Sequence, residues 1–214
     1  MKAGTRCRIY AVIEAGPHAL ARLEAALAAS NLAALLIAPA DGSPVEAAAA
    51  KPLIEAAQRA DVAALIADDA RLARELDADG VHLNATAHIA DRHASARATM
   101  GARAIVGVDV GLSRHDAMSV AEGGADYIAF GAPPTLSDRA RGRARRNELI
   151  AWWAEIFEVP CVAFDVESAG EAAALCAAGA DFIAVAHSAT GSPAGLSALL
   201  SEINAAIGIH AGTG

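Results

Sequence analysis

Three cysteines in 214 residues, Cys7, Cys161 and Cys176, are too few and too scattered for a disulfide framework or a zinc site. Their apolar surroundings predict small buried hydrophobes. No uninterrupted apolar run is long enough to span a bilayer, and Met1 to Cys7 lacks a signal-peptide core, so a soluble cytoplasmic protein is expected. Positive charge is also scarce: the formal net charge of −8 argues against a nucleic-acid or anionic-membrane surface. Nor does a Gly-x-Gly-x-x-Gly follow the first strand, where Glu14-Ala15-Gly16-Pro17 stands; that argues against a Rossmann fold, the alternative architecture.

What the chain has in excess is alanine, which favours helices packed closely on a sheet but blurs the amphipathic period that marks helix ends. Against that background one junction recurs. Asp68 to Leu83 compresses two acids at a strand end, a short helix marked by Leu72 and Leu76, the turn Ala78-Asp79-Gly80, and a new strand, Val81-His82-Leu83. Gly124-Ala125-Asp126-Tyr127-Ile128 and Gly179-Ala180-Asp181-Phe182-Ile183 repeat its ending, each after an Ala-rich helical segment. Helices alternating with buried strands predict parallel pairing.

Strands are expected at Ile9 to Glu14, Leu32 to Ala38, Val62 to Ala67, Val81 to Leu83, Ala104 to Val110, Tyr127 to Gly131, Cys161 to Asp165 and Phe182 to His187. A helical segment follows each. Ser43-Pro44-Val45-Glu46 and Ser168 to Glu171 read as capping boxes opening two of them. The one long irregular stretch is expected at Ala132 to Arg146, with Pro133-Pro134 and then Arg139, Arg141, Arg143, Arg145 and Arg146. Asn147 to Phe157 is expected to be helical, and its adjacent Trp152 and Trp153 cannot both face the barrel: one is half exposed or at a contact. The pattern predicts one domain over residues 1–214, a single (β/α)8 TIM barrel with an Arg-rich loop at about 132–146.

Barrel chemistry sits at the C-terminal strand ends, which points to Glu14, Asp68, Asp69, His82, Asp109, Asp165 and His187. Converging carboxylates and imidazoles suit a divalent cation or acid–base work. Single members have plainer roles: Asp69 as a helix cap, Glu14 as a solvated acid, His82 as a hydrogen-bonded core residue. His187-Ser188-Ala189-Thr190-Gly191-Ser192 is either a phosphate-binding turn or an ordinary hydroxyl-rich one. The Arg run either closes over an anion, with Thr135 and Ser137 supplying hydroxyls, or is a solvated surface loop.

Taken together, Leu65-Ile66-Ala67-Asp68-Asp69, Ala78-Asp79-Gly80-Val81-His82-Leu83, Gly124-Ala125-Asp126-Tyr127-Ile128, Pro134-Thr135-Leu136-Ser137 and Ala178-Gly179-Ala180-Asp181 resemble the thiamine phosphate synthase family and its sister branch, the thiazole tautomerases. The resemblance implies a transferase that joins hydroxymethylpyrimidine diphosphate to thiazole phosphate with Mg²⁺, and a homo-oligomer. It places Asp68 on a metal ligand and Thr135 and Ser137 on the thiazole phosphate; from their positions at strand ends, Asp109 joins Asp68 as a catalytic candidate, and His187 and Ser188 join the phosphate-binding candidates.

Several positions depart from the family pattern. Leu35 to Pro39 lacks the Gln-x-Arg-x-Lys, Ala67 and Ala87 replace the Asn and the second magnesium Asp, and Asp138 replaces a Lys. Asp165-Val166 replaces a Gly-Gly, and His187 a Ser; the tautomerase His is Gly111 or Leu112, with His115 displaced. These exchanges predict diphosphate binding weakened by several kcal/mol. Three functions follow: a divergent synthase, a non-catalytic relative binding a phosphorylated metabolite or a partner protein, or new chemistry at an acidic mouth using Asp109, Asp165 and His187.

Overall fold

The computed structural model describes residues 7–40, 43–133, 135–186 and 192–210. Eight parallel strands close in sequence order, β1 pairing with both β2 and β8. They are β1 Arg8–Glu14, β2 Leu32–Ala38, β3 Ala63–Ala67, β4 Gly80–Leu83, β5 Ile105–Asp109, β6 Tyr127–Phe130, β7 Cys161–Ala163 and β8 Phe182–Ala186. The helices alternating with them are α1 Ala19–Ala29, α2 Ala47–Arg59, α3 Ala70–Glu75, α4 Ile89–Met100, α5 Arg114–Glu122, α6 Arg139–Ile156, α7 Ala169–Ala177 and α8 Pro193–His210. The chain is a TIM barrel. No helix among the described residues is long and apolar enough to cross a membrane.

Strand periodicity divides the core in two. Ile9, Ala11 and Ile13 pack outward with helix residues such as Leu23, Leu53 and Ile54. Tyr10 and Val12, one residue out of phase, belong to a separate inner cluster with Leu36, Leu65, Tyr127 and Val162, and no helix residue joins it.

The recurring Asp is explained at the bottom of the barrel. Asp79 accepts the Ala64 amide at 2.8 Å, Asp126 the Val106 amide at 2.7 Å and Asp181 the Cys161 amide at 2.8 Å. Each carboxylate, just before an even strand, satisfies an amide at the start of the preceding odd strand, a position that serves stability. The residue two before it takes the left-handed conformation that ends a helix, with φ 52° at Asp77, 86° at Gly124 and 102° at Gly179.

Three sequence expectations are corrected. Cys7 and Cys176 form a disulfide with Cα atoms 5.7 Å apart, joining the start of β1 to α7. Folding brings residues 169 apart in sequence together, which spacing alone could not reveal. Second, α2 starts at Ala47, not at Ser43, and Glu46 is an extended N-cap without a side-chain bond; the extended approach lets Val45 pack on the core. Third, the Arg run is helical from Arg139, because Asp138 caps α6 by accepting the Arg141 amide at 2.9 Å and arginine propagates a helix well. At its other end Trp153 is buried, and Trp152 is half-buried under the Arg114 guanidinium, 4.4 Å from its ring.

Candidate active site

Three carboxylates mark the mouth at the C-terminal ends of β3, β5 and β7. Asp68 follows β3 at φ 59° and is held on both oxygens. Oδ1 accepts from the Asn84 amide at 2.9 Å and from Arg92 Nη2 at 2.8 Å, and Oδ2 accepts from Asn84 Nδ2 at 2.5 Å. Asp165, after β7 and also at φ 59°, accepts from the Ala132 amide at 2.7 Å and pairs with Arg139 Nη2 at 3.1 Å. Asp109 closes β5 between them, with Oδ1 accepting from the Gly111 amide at 2.7 Å. Burial, opposed by that hydrogen bond and helped by the charges of Asp165 and Asp68, pushes the Asp109 carboxyl up to about 7. The side chain nevertheless keeps partial solvent access through the mouth.

Beneath the carboxylates the inner cluster ends in an aromatic and polar plug. The Tyr10 and Tyr127 hydroxyls lie 2.8 Å apart, and the Tyr127 hydroxyl is 2.7 Å from His82 Nδ1. His82 stacks on Phe164 with ring centroids 5.2 Å apart. Desolvation, opposed by the charge of Asp68, pushes the His82 imidazole down to about 4, so the ring is neutral at pH 7. A neutral imidazole accepting the Tyr127 hydroxyl at Nδ1 carries its proton on Nε2, which has no partner among the described residues. Gly107 makes room for the plug: a Cβ there would stand 1.9 Å from Tyr127 Cζ. His82 is thus a hydrogen-bonded core residue, and Asp69 is a cap, accepting the Arg71 and Leu72 amides.

The Arg helix serves the mouth from one face. Arg139, Arg143 and Arg146 pair with Asp165, Glu167 and Glu171, at 3.1, 3.0 and 2.5 Å, so spacings of four and three residues clamp the β7–α7 turn. Arg146 is fully buried and also donates to the carbonyls of Phe164 and Asp165 at 2.5 and 2.9 Å. Arg139 donates to the carbonyls of Ala132 and Pro133, fixing the β6–α6 turn on which Thr135 and Ser137 stand exposed. Beside these turns lies a cavity of about 240 Å³ lined by Val12, Phe164, Ala184 and Ala186 together with the acids Asp165 and Glu167. His187 and Ser188 lie outside the described residues.

The structure therefore brings Asp68, Asp109 and Asp165 together. It also reveals Arg92, Asn84, Arg139 and the Tyr10–Tyr127–His82 chain as their neighbours. An arginine in the first turn of a helix opposes the helix dipole, so Arg92 and Arg139 carried a sequence signal for acidic partners. The donors around Asp68 do not fit Mg²⁺: its oxygens are committed to Asn84 and Arg92. Among the described residues no group of three His, Cys, Asp or Glu side chains could hold a metal ion.

The family model for thiamine monophosphate synthase matches residues 9–189. A thiamine-phosphate synthase of Rhodospirillum centenum is 38% identical over 205 residues, covering 94% of this chain and 97% of that protein. One from Erythrobacter litoralis is 41% identical over 138 residues, 64% of this chain and 63% of its own. The solved thiamine phosphate pyrophosphorylase of Pyrococcus furiosus superposes with a TM-score of 0.76 at 20% identity, covering 96% of this chain and 97% of its own, a likeness of fold. With the family model matched over residues 9–189 and 38% identity held along nearly its whole length, the chain belongs to the thiamine monophosphate synthase family.

Proposed function

We propose that this barrel serves thiamine biosynthesis by binding the thiazole phosphate half of the synthase reaction, without running the metal-assisted loss of pyrophosphate that joins the two halves. The phosphate ester is taken by the hydroxyls of Thr135 and Ser137, both exposed on the β6–α6 turn. One observation carries the reading: the chain's own carboxylates occupy the donors that a diphosphate needs. Asp165 takes the Ala132 amide and Arg139, while Asp68 takes Arg92 and both Asn84 donors. An incoming polyanion would have to displace a carboxylate and would meet a third acid, Asp109.

The 38% identity to a named synthase over nearly its full length favours a second reading, in which the barrel still joins the two substrates. Incubation with Mg²⁺, hydroxymethylpyrimidine diphosphate and thiazole phosphate, with direct assay of thiamine phosphate and Asp68→Ala as control, separates them. The expected result is no product above the control. Alongside it, calorimetry should show thiazole phosphate binding that Thr135→Ala combined with Ser137→Ala weakens about tenfold or more. Product that disappears with Asp68→Ala would establish the second reading, and failure to bind either phosphate would remove both.

A further inference from the structure

The family resemblance implies a metal on Asp68, whereas the geometry there points to a protein cation: we infer that Arg92 stands permanently in the metal's place and makes the mouth select a phosphate monoester, bound without any divalent ion, over a metal-complexed diphosphate. The choice of monoester rests on the reading proposed above; the replacement of the metal does not.

Arg92 lies in the first turn of α4, 24 residues from Asp68 in sequence, and its Nη2 meets Asp68 Oδ1 at 2.8 Å. Nη1 leans on the Asn84 carbonyl at 3.4 Å, while Asn84 itself closes the other side of the carboxylate. A divalent ion would need the lone pairs these donors occupy, and Arg92 would then be left beside it as a like charge.

The charge balance carries the selectivity. Mg²⁺ on one carboxylate leaves a net +1 to hold a phosphate oxygen and offset a leaving diphosphate. Arg92 on Asp68 leaves zero, and Arg139 on Asp165 leaves zero again. On a mouth with no net positive charge a diphosphate brings more negative charge than a monoester dianion, and the hydroxyls and remaining guanidinium N–H groups hold the smaller charge better. Arg92 is 34% exposed and Asp68 36%, so neither is sealed from a ligand.

The test pairs metal binding with ligand binding. Mn²⁺ titration followed by paramagnetic resonance should show no site in the wild-type protein, and thiazole phosphate should bind equally in chelator and in Mg²⁺. Arg92→Ala should weaken that binding about tenfold in chelator and regain part of it with Mg²⁺, because Asp68 Oδ1 has then lost its guanidinium and keeps only the Asn84 amide. Arg92→Lys should stay metal-independent. The exposed pair contributes little to stability, so both variants should fold, which circular dichroism checks. Mn²⁺ bound by the wild type and lost in Asp68→Asn would overturn the inference, as would Mg²⁺-dependent wild-type binding or full metal-free binding by Arg92→Ala. If thiazole phosphate does not bind at all, the proposed function fails while the Mn²⁺ titration still decides the role of Arg92.

Discussion

At the scale of single residues, ionising a carboxyl inside a barrel mouth costs the folded state, and the cost reads out as pH dependence. The folded Asp109 keeps its proton to about pH 7, the unfolded one only to 3.8. The folded state binds the more protons between those values, so this contribution to stability is present at low pH and lost as pH rises. His82 acts in the opposite sense. Its folded ring ionises near pH 4 and its unfolded ring at 6.5, so the unfolded state binds the more protons there and stability falls as pH drops. The two slopes oppose between 4 and 6.5. Asp109→Asn removes one and leaves the other. Urea denaturation across pH should then show the variant gaining about 3 kcal/mol on going from the acid end of that window to neutrality, where it should also exceed the wild type by up to about 4 kcal/mol. A profile parallel to the wild type's would mean that Asp109 is already ionised in the folded protein.

At the scale of elements, α6 shows what local sequence hides. Pro133-Pro134 and five arginines read as an irregular loop, because the partners that give three of the arginines purpose lie after β7, at Asp165 and Glu167 in the turn and Glu171 in α7. The spacing of Arg139, Arg143 and Arg146 is helical, but a polar face does not announce itself as the apolar period does. Asp68, Asp109 and Asp165 were legible, since strand ends locate a barrel mouth. Asn84 was not, and Arg92 signalled only that some acid faces it, because which acid depends on a contact between one strand end and the next helix. The partners of α6 differ in burial, so they should differ in energy. Arg146→Ala takes the guanidinium from the carbonyls of Phe164 and Asp165 and from Glu171 Oε1, and should cost about 3 kcal/mol or more in urea denaturation. Arg145→Ala, which breaks an exposed pair with Glu148, should cost about 0.5 kcal/mol or less. Equal losses would mean that the buried clamp on the β7–α7 turn is no stronger than a surface ion pair.

At the scale of the whole molecule, the alternation of helix and strand and the thrice-repeated Asp made the barrel legible, because both are short-range patterns with one long-range solution. Its covalent closure was not, since nothing near Cys7 in sequence names a partner 169 residues away. The bond ties the entrance of the first strand to the seventh helix, across the seam where β8 must return to β1. A loop of that length gives the largest entropic restraint on the unfolded chain, up to about 5 kcal/mol in the chain-entropy model, with measured disulfides more often contributing about 2–4 kcal/mol. Reduction should therefore lower the denaturation midpoint of the oxidised protein without changing its far-UV circular dichroism. The folded barrel should persist, because its strand ladder is complete between β8 and β1 without the bond. Cys7→Ser should melt where the reduced wild type melts and should not respond to reductant. The same midpoint for oxidised and reduced wild type, with the bond verified by mass spectrometry, would show that the hydrogen-bonded seam alone sets the stability of closure.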